Sequence, residues 1–272
     1  MHESLGDIIL HHVTNGLDHP LVSLHFWGID FSITKHVVML WISAFLLTSI
    51  AILATRRYRK NIDAQPRGLS QIFEMLIEFI RDEIVKPNIG TGKEARLWTP
   101  MLTTFFAFIL TCNFIGLIPF FDFVPGGSST VTGNLYMTGA LAVITFLAII
   151  TAGVMKHGFI GHWKNLAPHG VPIAVLPLII VIEVFGMFLR PIVLMVRLGA
   201  NMTAGHIGMI AIFALPMILS QLPQGAQLGV GFVAVLLNTG IFFLEIIVSL
   251  VQAYVFTLLS SVFIGMAINP EH

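Results

Sequence analysis

Five stretches of the chain are almost free of charge. Residues 37–54, 97–121 and 135–155 contain no Asp, Glu, Lys or Arg. Residues 171–219 contain only Glu183, Arg190 and Arg197, and residues 228–268 only Glu245. Each stretch approaches or exceeds the roughly 20 apolar residues that carry a helix across a bilayer. All are too long for barrel strands. Unpaired backbone groups cannot face lipid, so the pattern predicts an all-α integral membrane protein with about five crossing helices. The last two stretches are oversized. As single helices they would measure roughly 70 and 60 Å, about twice an upright crossing. Either each is broken, near Pro191 and Pro216, or both lie steeply tilted.

Residues 70–85 follow a different pattern. Ile72, Phe73, Leu76, Ile77, Ile80 and Ile84 form one apolar stripe at helical spacing, with Gln71, Glu74, Glu78, Arg81 and Asp82 opposite. Ser70 stands where an N-cap belongs. This is an amphipathic helix, lying either on the membrane surface or against another subunit. The loop FVPGGSS at 123–129 is turn-rich and reads as external. The start of the chain lacks the basic, compact signal pattern and is expected to be retained. The expected organisation is an external segment, 1–36, followed by one membrane domain, 37–272.

Composition agrees with the pattern. Apolar residues make up 56% of the chain, charged residues 10%, and the mean hydropathy is +0.89. Soluble domains carry about a quarter charged residues, which excludes an ordinary cytosolic enzyme. Intrinsic disorder needs the opposite composition. Acidic and basic residues balance at 14 each, so no nucleic-acid partner is indicated. Cys112 is the only cysteine, which leaves no internal disulfide and no cysteine zinc site. His11 and His12 are adjacent but have no ligand set around them, and neither metal nor cofactor is expected. Orientation follows from the basic residues. Nine lie between 55 and 96, and Lys156 and Lys164 follow the third stretch, all on one side; the opposite loops hold only Lys35. The positive-inside rule places the rich side in the cytoplasm, the N-terminus outside and the C-terminus inside.

An ionisable group at membrane depth costs about 2.5–3.5 kcal/mol on insertion scales. The last two stretches nevertheless carry ordered sets of them. Glu183, Arg190 and Arg197 recur every seven residues, and Asn201 follows four later. Asn238, Glu245 and Gln252 also recur every seven, with Ser249 four after Glu245. Two long helices thus each present one polar stripe, and facing stripes would make a hydrated ion path. His206 lies nine residues after Arg197, on the opposite face. His206 and Glu245 are able to relay protons. Arg197 stays charged and cannot. Its counter-charge is either Glu245 or a carboxylate of another protein. Arg190 reads as snorkelling to the boundary. No HExxH, GxSxG or Walker motif is present, and GTGK at 90–93 reads as a loop.

Four motifs now become specific. Residues 197–206 read RLGANMTAGH, and this resembles the R-L-x-x-N-x-x-A-G-[EH] signature of subunit a of the F-type ATP synthase membrane sector. Residues 245–257, EIIVSLVQAYVFT, resemble that family's final-helix pattern. NFIGLIP at 113–119 is similar to its N-x-x-G-L-x-P, and Arg190-Pro191 to its [KR]-P. The resemblance spans residues 5–268 in the family's order. It implies a non-catalytic, proton-translocating subunit with two half-channels, whose last two helices form a tilted hairpin against a rotating ring of c subunits. Arg197 would face the ring carboxylates. His206 and Glu245 would form the external half-channel pair, with Asn201 and Gln252 beside the arginine and Glu183 on the cytoplasmic exit. In many bacterial members the pair has Glu first and His second; here the order is reversed. Implied partners are the c-ring, the peripheral-stalk b subunits and the lipid of a bacterial inner membrane.

The main rival is a secondary transporter binding an anionic solute at Arg197, which would show paired inverted halves; five crossings do not divide that way. An intramembrane enzyme using His206 and Glu245 would need a nucleophile or metal constellation that is not visible. A purely structural subunit would not need a second polar stripe.

Overall fold

The computed structural model describes residues 22–23, 25–26, 29–30, 32–56, 58, 65–118, 130–164, 175–219, 221 and 223–270. The 123–129 loop, His11, His12 and most of the expected external segment lie outside them. Two short strands, β1 (His25–Phe26) and β2 (Ile29–Asp30), pair antiparallel ahead of the helices. Among the described residues six longer α-helices follow: α1 (Lys35–Thr55), α2 (Leu69–Phe79), α3 (Lys93–Leu117), α4 (Leu135–Lys164), α5 (Leu176–Ile218) and α6 (Gln224–Ile268). All but α2 are long and apolar enough to cross a membrane.

The two oversized stretches form single helices. α5 runs 43 residues and α6 45, so neither Pro191 nor Pro216 ends its helix. A proline removes one backbone donor, and membrane helices tolerate that because neighbouring groups take up the freed carbonyls. At the end of α5, Gln227 Nε2 donates to Pro216 O, a last-turn carbonyl, at 3.5 Å. The expected breaks at Pro191 and Pro216 are therefore not seen.

By its internal packing the chain divides into two compact units. Unit 1 comprises Met1–Ala44, Ile109–Met137 and Leu198–Gln252; unit 2 comprises Phe45–Phe108, Thr138–Arg197 and Ala253–His272. In unit 1 the fully buried side chains include Met39, Ile109, Cys112, Leu198 and Met202. In unit 2 they include Ile84, Leu102, Ile149, Leu194 and Phe256. α3 is the most enclosed helix: 61% of its apolar span is buried, against 17% for α1, α5 and α6. The bare sides of the last two helices carry Phe185, Phe188, Phe232, Leu236 and Phe243, a surface suited only to lipid or a partner. Some buried hydroxyls are satisfied within their own helices, as where Thr99, Thr145 and Thr257 each donate to the carbonyl four residues back, while those of Thr103, Ser249 and Ser260 have no partner among the described residues.

The amphipathic helix begins at Leu69, so Ser70 lies inside its first turn and is not its N-cap. Its hydroxyl donates instead to Ala54 O, at 2.8 Å, an orphan carbonyl in the last turn of α1. The helix continues through a π-helical stretch, Ile80–Val85, and a final α-turn, Lys86–Ile89. Its apolar stripe divides. Ile80 and Ile84 are fully buried, whereas Ile72 remains mostly exposed, as does Met75, which lies outside the stripe. The π stretch is tied to α6: Ile84 O accepts from Ser261 Oγ at 3.1 Å, and a Cβ on Gly265 would overlap the Asn88 carbonyl. This helix therefore packs on its own chain and leaves only part of its N-terminal half exposed, at Leu69, Ile72 and Met75.

Candidate functional site

Within unit 1 one residue of each polar stripe meets the other. Asn201 Nδ2 on α5 donates to Gln252 Oε1 on α6 at 3.2 Å. One turn further along α5, the Gly205 backbone lies against Glu245, and near the hairpin turn Gln227 reaches Pro216. The partners run in opposite order along the two helices, so these stretches are antiparallel. Glu245 is 2% exposed, and neither of its carboxylate oxygens has a hydrogen-bond partner among the described residues. Gly205 is what admits it: any Cβ there would fall on Oε1.

His206 is held from a third element. Its Nε2 is hydrogen-bonded to Thr130 Oγ1. Thr130 leads into the 3-10 turn Val131–Gly133, and Thr203 Oγ1 on α5 donates to Gly133 O at 3.1 Å. The turn is anchored in its turn by α3. Thr132 Oγ1 donates to Asn113 Oδ1 at 2.5 Å, and Asn113 Nδ2 donates to Ser249 O on α6 at 3.3 Å. A Cβ at Gly116 would overlap Thr130. The N-x-x-G of residues 113–116 thus has a physical reading. Asn113 joins turn and helix, and Gly116 lets the turn approach closely enough for Thr130 to reach His206. The sequence flagged this motif without giving its residues a role. Nothing in the sequence pointed to Thr130, because its bond spans 76 positions.

In unit 2, Glu183 and Arg190 form an ion pair at 3.0 Å across two helical turns. The Arg190 guanidinium lies 5.7 Å from the ring centre of Phe263. Arg190 is thus held by both Glu183 and Phe263. Both residues line a cleft of about 570 Å³, with Asn88, His162, Met187 and Asn269. Arg197, a further two turns along, is exposed and makes no ion pair among the described residues. Glu245 likewise has no hydrogen-bond partner among them.

The long apolar helices, their bare flanks and the ionisable groups carried on the last two of them are those of a multi-pass membrane protein. Comparison with known proteins narrows that class. The family model described as ATP synthase A chain matches residues 37–265. "ATP synthase subunit a 2" of Chlorobium luteolum is 40% identical over 99% of this chain and 77% of its own length. Its namesake in Prosthecochloris aestuarii is 40% identical over 99% and 82%. "ATP synthase subunit a" of Anaeromyxobacter dehalogenans is 39% identical over 97% and 70%. The chain belongs to the ATP synthase A chain family, the non-catalytic, proton-conducting subunit of the F0 sector.

Proposed function

We propose that His206 and Glu245 form the external half-channel, that the Glu183 cleft forms the cytoplasmic exit, and that Arg197 presents its charge to the carboxylates of a c-ring. The observation that carries this reading is the Glu245 carboxylate, buried without a partner at the crossing of the two polar stripes. A polar group in that state costs about 1–3 kcal/mol, so a role other than stability retains it. Asn201 and Gln252 hold the next turn of the path through their mutual bond.

The chemistry follows from charge and solvent. A ring carboxylate in lipid must be neutral. Meeting Arg197, it is stabilised as the anion and releases its proton towards the Glu183 side. It reloads from the His206–Glu245 side. Arg197 itself passes no proton, so it blocks a direct leak between the two routes. Each proton crossing 100 mV contributes about 2.3 kcal/mol to rotation. The bare flanks of α5 and α6 support the ring contact, and the exposed Ile72–Met75 face supports a contact with the peripheral-stalk b subunits. In this reading residues 37–272 work as one domain behind an external segment, in a bacterial inner membrane, with the N-terminus outside and the C-terminus cytoplasmic.

The test is ATP-driven proton pumping in membrane vesicles carrying Glu245→Gln or His206→Gln, with assembly checked by blotting. Assembled complexes whose pumping falls by roughly 100-fold, the lower end of acid–base contributions, support the pair. Undiminished pumping in both variants removes the external half-channel from this place.

A further inference from the structure

His162 stands outside everything assigned so far. α4 is interrupted at Gly158, whose φ of 74° and ψ of 167° turn the chain out of the helical path before residues 159–164 coil again. A positive φ of that kind is open to glycine at little cost. The imidazole of His162 settles on Gly153, where a Cβ would overlap its Nδ1. Two glycines therefore fix the ring: one turns the chain and the other gives it a seat. Nδ1 lies against backbone, while Nε2 is buried with no hydrogen-bond partner among the described residues. The residue is 5% exposed and forms part of the lining of the cleft that holds Glu183 and Arg190.

A buried, unpaired ring nitrogen does nothing for stability and has a cost of about 1–3 kcal/mol. Packing alone would be served better by an apolar side chain in the same seat. The charged and titratable groups around it are few. His157, one turn earlier on α4, is engaged with Ile268 O through its Nε2 at 2.9 Å. Glu183 and Arg190 on α5 are paired with each other. Asn88 and the α6 residues Val262, Gly265 and Met266 bring no charge to the lining. His162 is thus the one neutral base in the described lining of the cleft with a nitrogen not already engaged.

We infer that His162 is a proton relay in the Glu183 cleft, an inference that rests on the cleft being the exit route. A proton leaving the Glu183 carboxyl, directly or through cleft water, bonds to His162 Nε2 and makes the imidazolium. Loss of that proton to bulk water restores the neutral ring, so charge and protons balance over each passage. Imidazole suits this step because the same ring nitrogen can take up a proton and release it again.

The experiment uses vesicles containing the whole complex with His162→Ala, His162→Gln and, in parallel, Glu183→Gln. His162→Ala is expected to assemble and to pump at least about tenfold more slowly, with added imidazole restoring much of the rate. His162→Gln, which fills the seat without a base, stays slow and is not rescued. Normal pumping in His162→Gln makes the residue a packing element and overturns the inference, as does failure of both variants to assemble. A slow His162→Ala that imidazole does not restore also overturns it. If Glu183→Gln pumps normally, the exit-route reading falls and this inference with it. If Glu183→Gln is blocked while His162→Ala is normal, only the inference about His162 fails.

Discussion

At Gly205 the absence of a side chain makes the room that the Glu245 carboxylate occupies. The obstructing atom is the far end of a flexible side chain, so Gly205→Ala is expected to fold and assemble, with Glu245 pushed aside. Pumping in that variant should fall severalfold while assembly on a blot is unchanged. Adding Glu245→Asp, which shortens the acid by one carbon, should restore part of the rate; no recovery would mean that Gly205 matters for another reason. The surface helix behaves differently. Arg81 and Lys86 hold the Asp82 carboxyl well below the usual carboxylate range, chiefly through the Arg81 hydrogen bond. A depressed acid contributes stability above its unfolded pKa and loses it only as pH falls through the folded value. These groups are exposed and their pairing is worth little. Lowering the pH from neutral to about 5 should therefore leave the protease resistance of this helix unchanged, since the unfolded value is near 3.9.

Among the elements, the short turn at 130–133 links the most functional groups. It reaches His206 through Thr130, α5 through Gly133 and α3 through Thr132. Asn113→Ala removes its anchor and leaves the Thr132 hydroxyl without its acceptor. A loss of about 1–3 kcal/mol is expected, read as a lower thermal-inactivation temperature of the complex together with slower pumping. An unaltered inactivation temperature would show that the turn holds itself. The helices and the two stripes were legible in the sequence because charge is so costly in lipid that every intramembrane ionisable residue stands out against apolar neighbours. That Asn201 and Gln252 belong to two polar stripes followed from the sequence spacing; their mutual bond and the fit of Glu245 on Gly205 did not. Thr130, the Glu183–Arg190 pair and the seat of His162 were not legible. A threonine before a turn carries no periodic signal, two long side chains choose among several partners, and a single glycine kink at 158 re-aims the residues after it. The continuity of α5 through two prolines was also undecided, since hydropathy is blind to whether neighbours absorb a lost donor.

For the molecule as a whole, orientation is the property most open to a direct check. Cys112 is fully buried, so an introduced cysteine can be read above a low thiol background. In intact cells a membrane-impermeant thiol reagent should label Gln224→Cys, at the start of α6, and should reach Lys156→Cys only after the membrane is opened. The reverse pattern would invert the topology and exchange the two half-channels. The exposed apolar flanks of α5 and α6 carry a parallel expectation, that of a partner-covered surface. A charge placed there, as in Phe232→Asp, should lower the yield of assembled complex on a native gel; an unchanged yield would mean that this flank faces neither ring nor lipid. All of this organisation converges on one cation. Arg197 is exposed, has no acidic partner among the described residues, and lies on the polar stripe between the Glu183–Arg190 pair and Asn201. The most direct measurement is ATP-driven proton pumping in vesicles carrying Arg197→Ala beside the unaltered protein, with assembly verified. The account predicts a complex that assembles normally and pumps no protons. Pumping that persists at the normal rate would make Arg197 a structural charge and contradict the mechanism built on it.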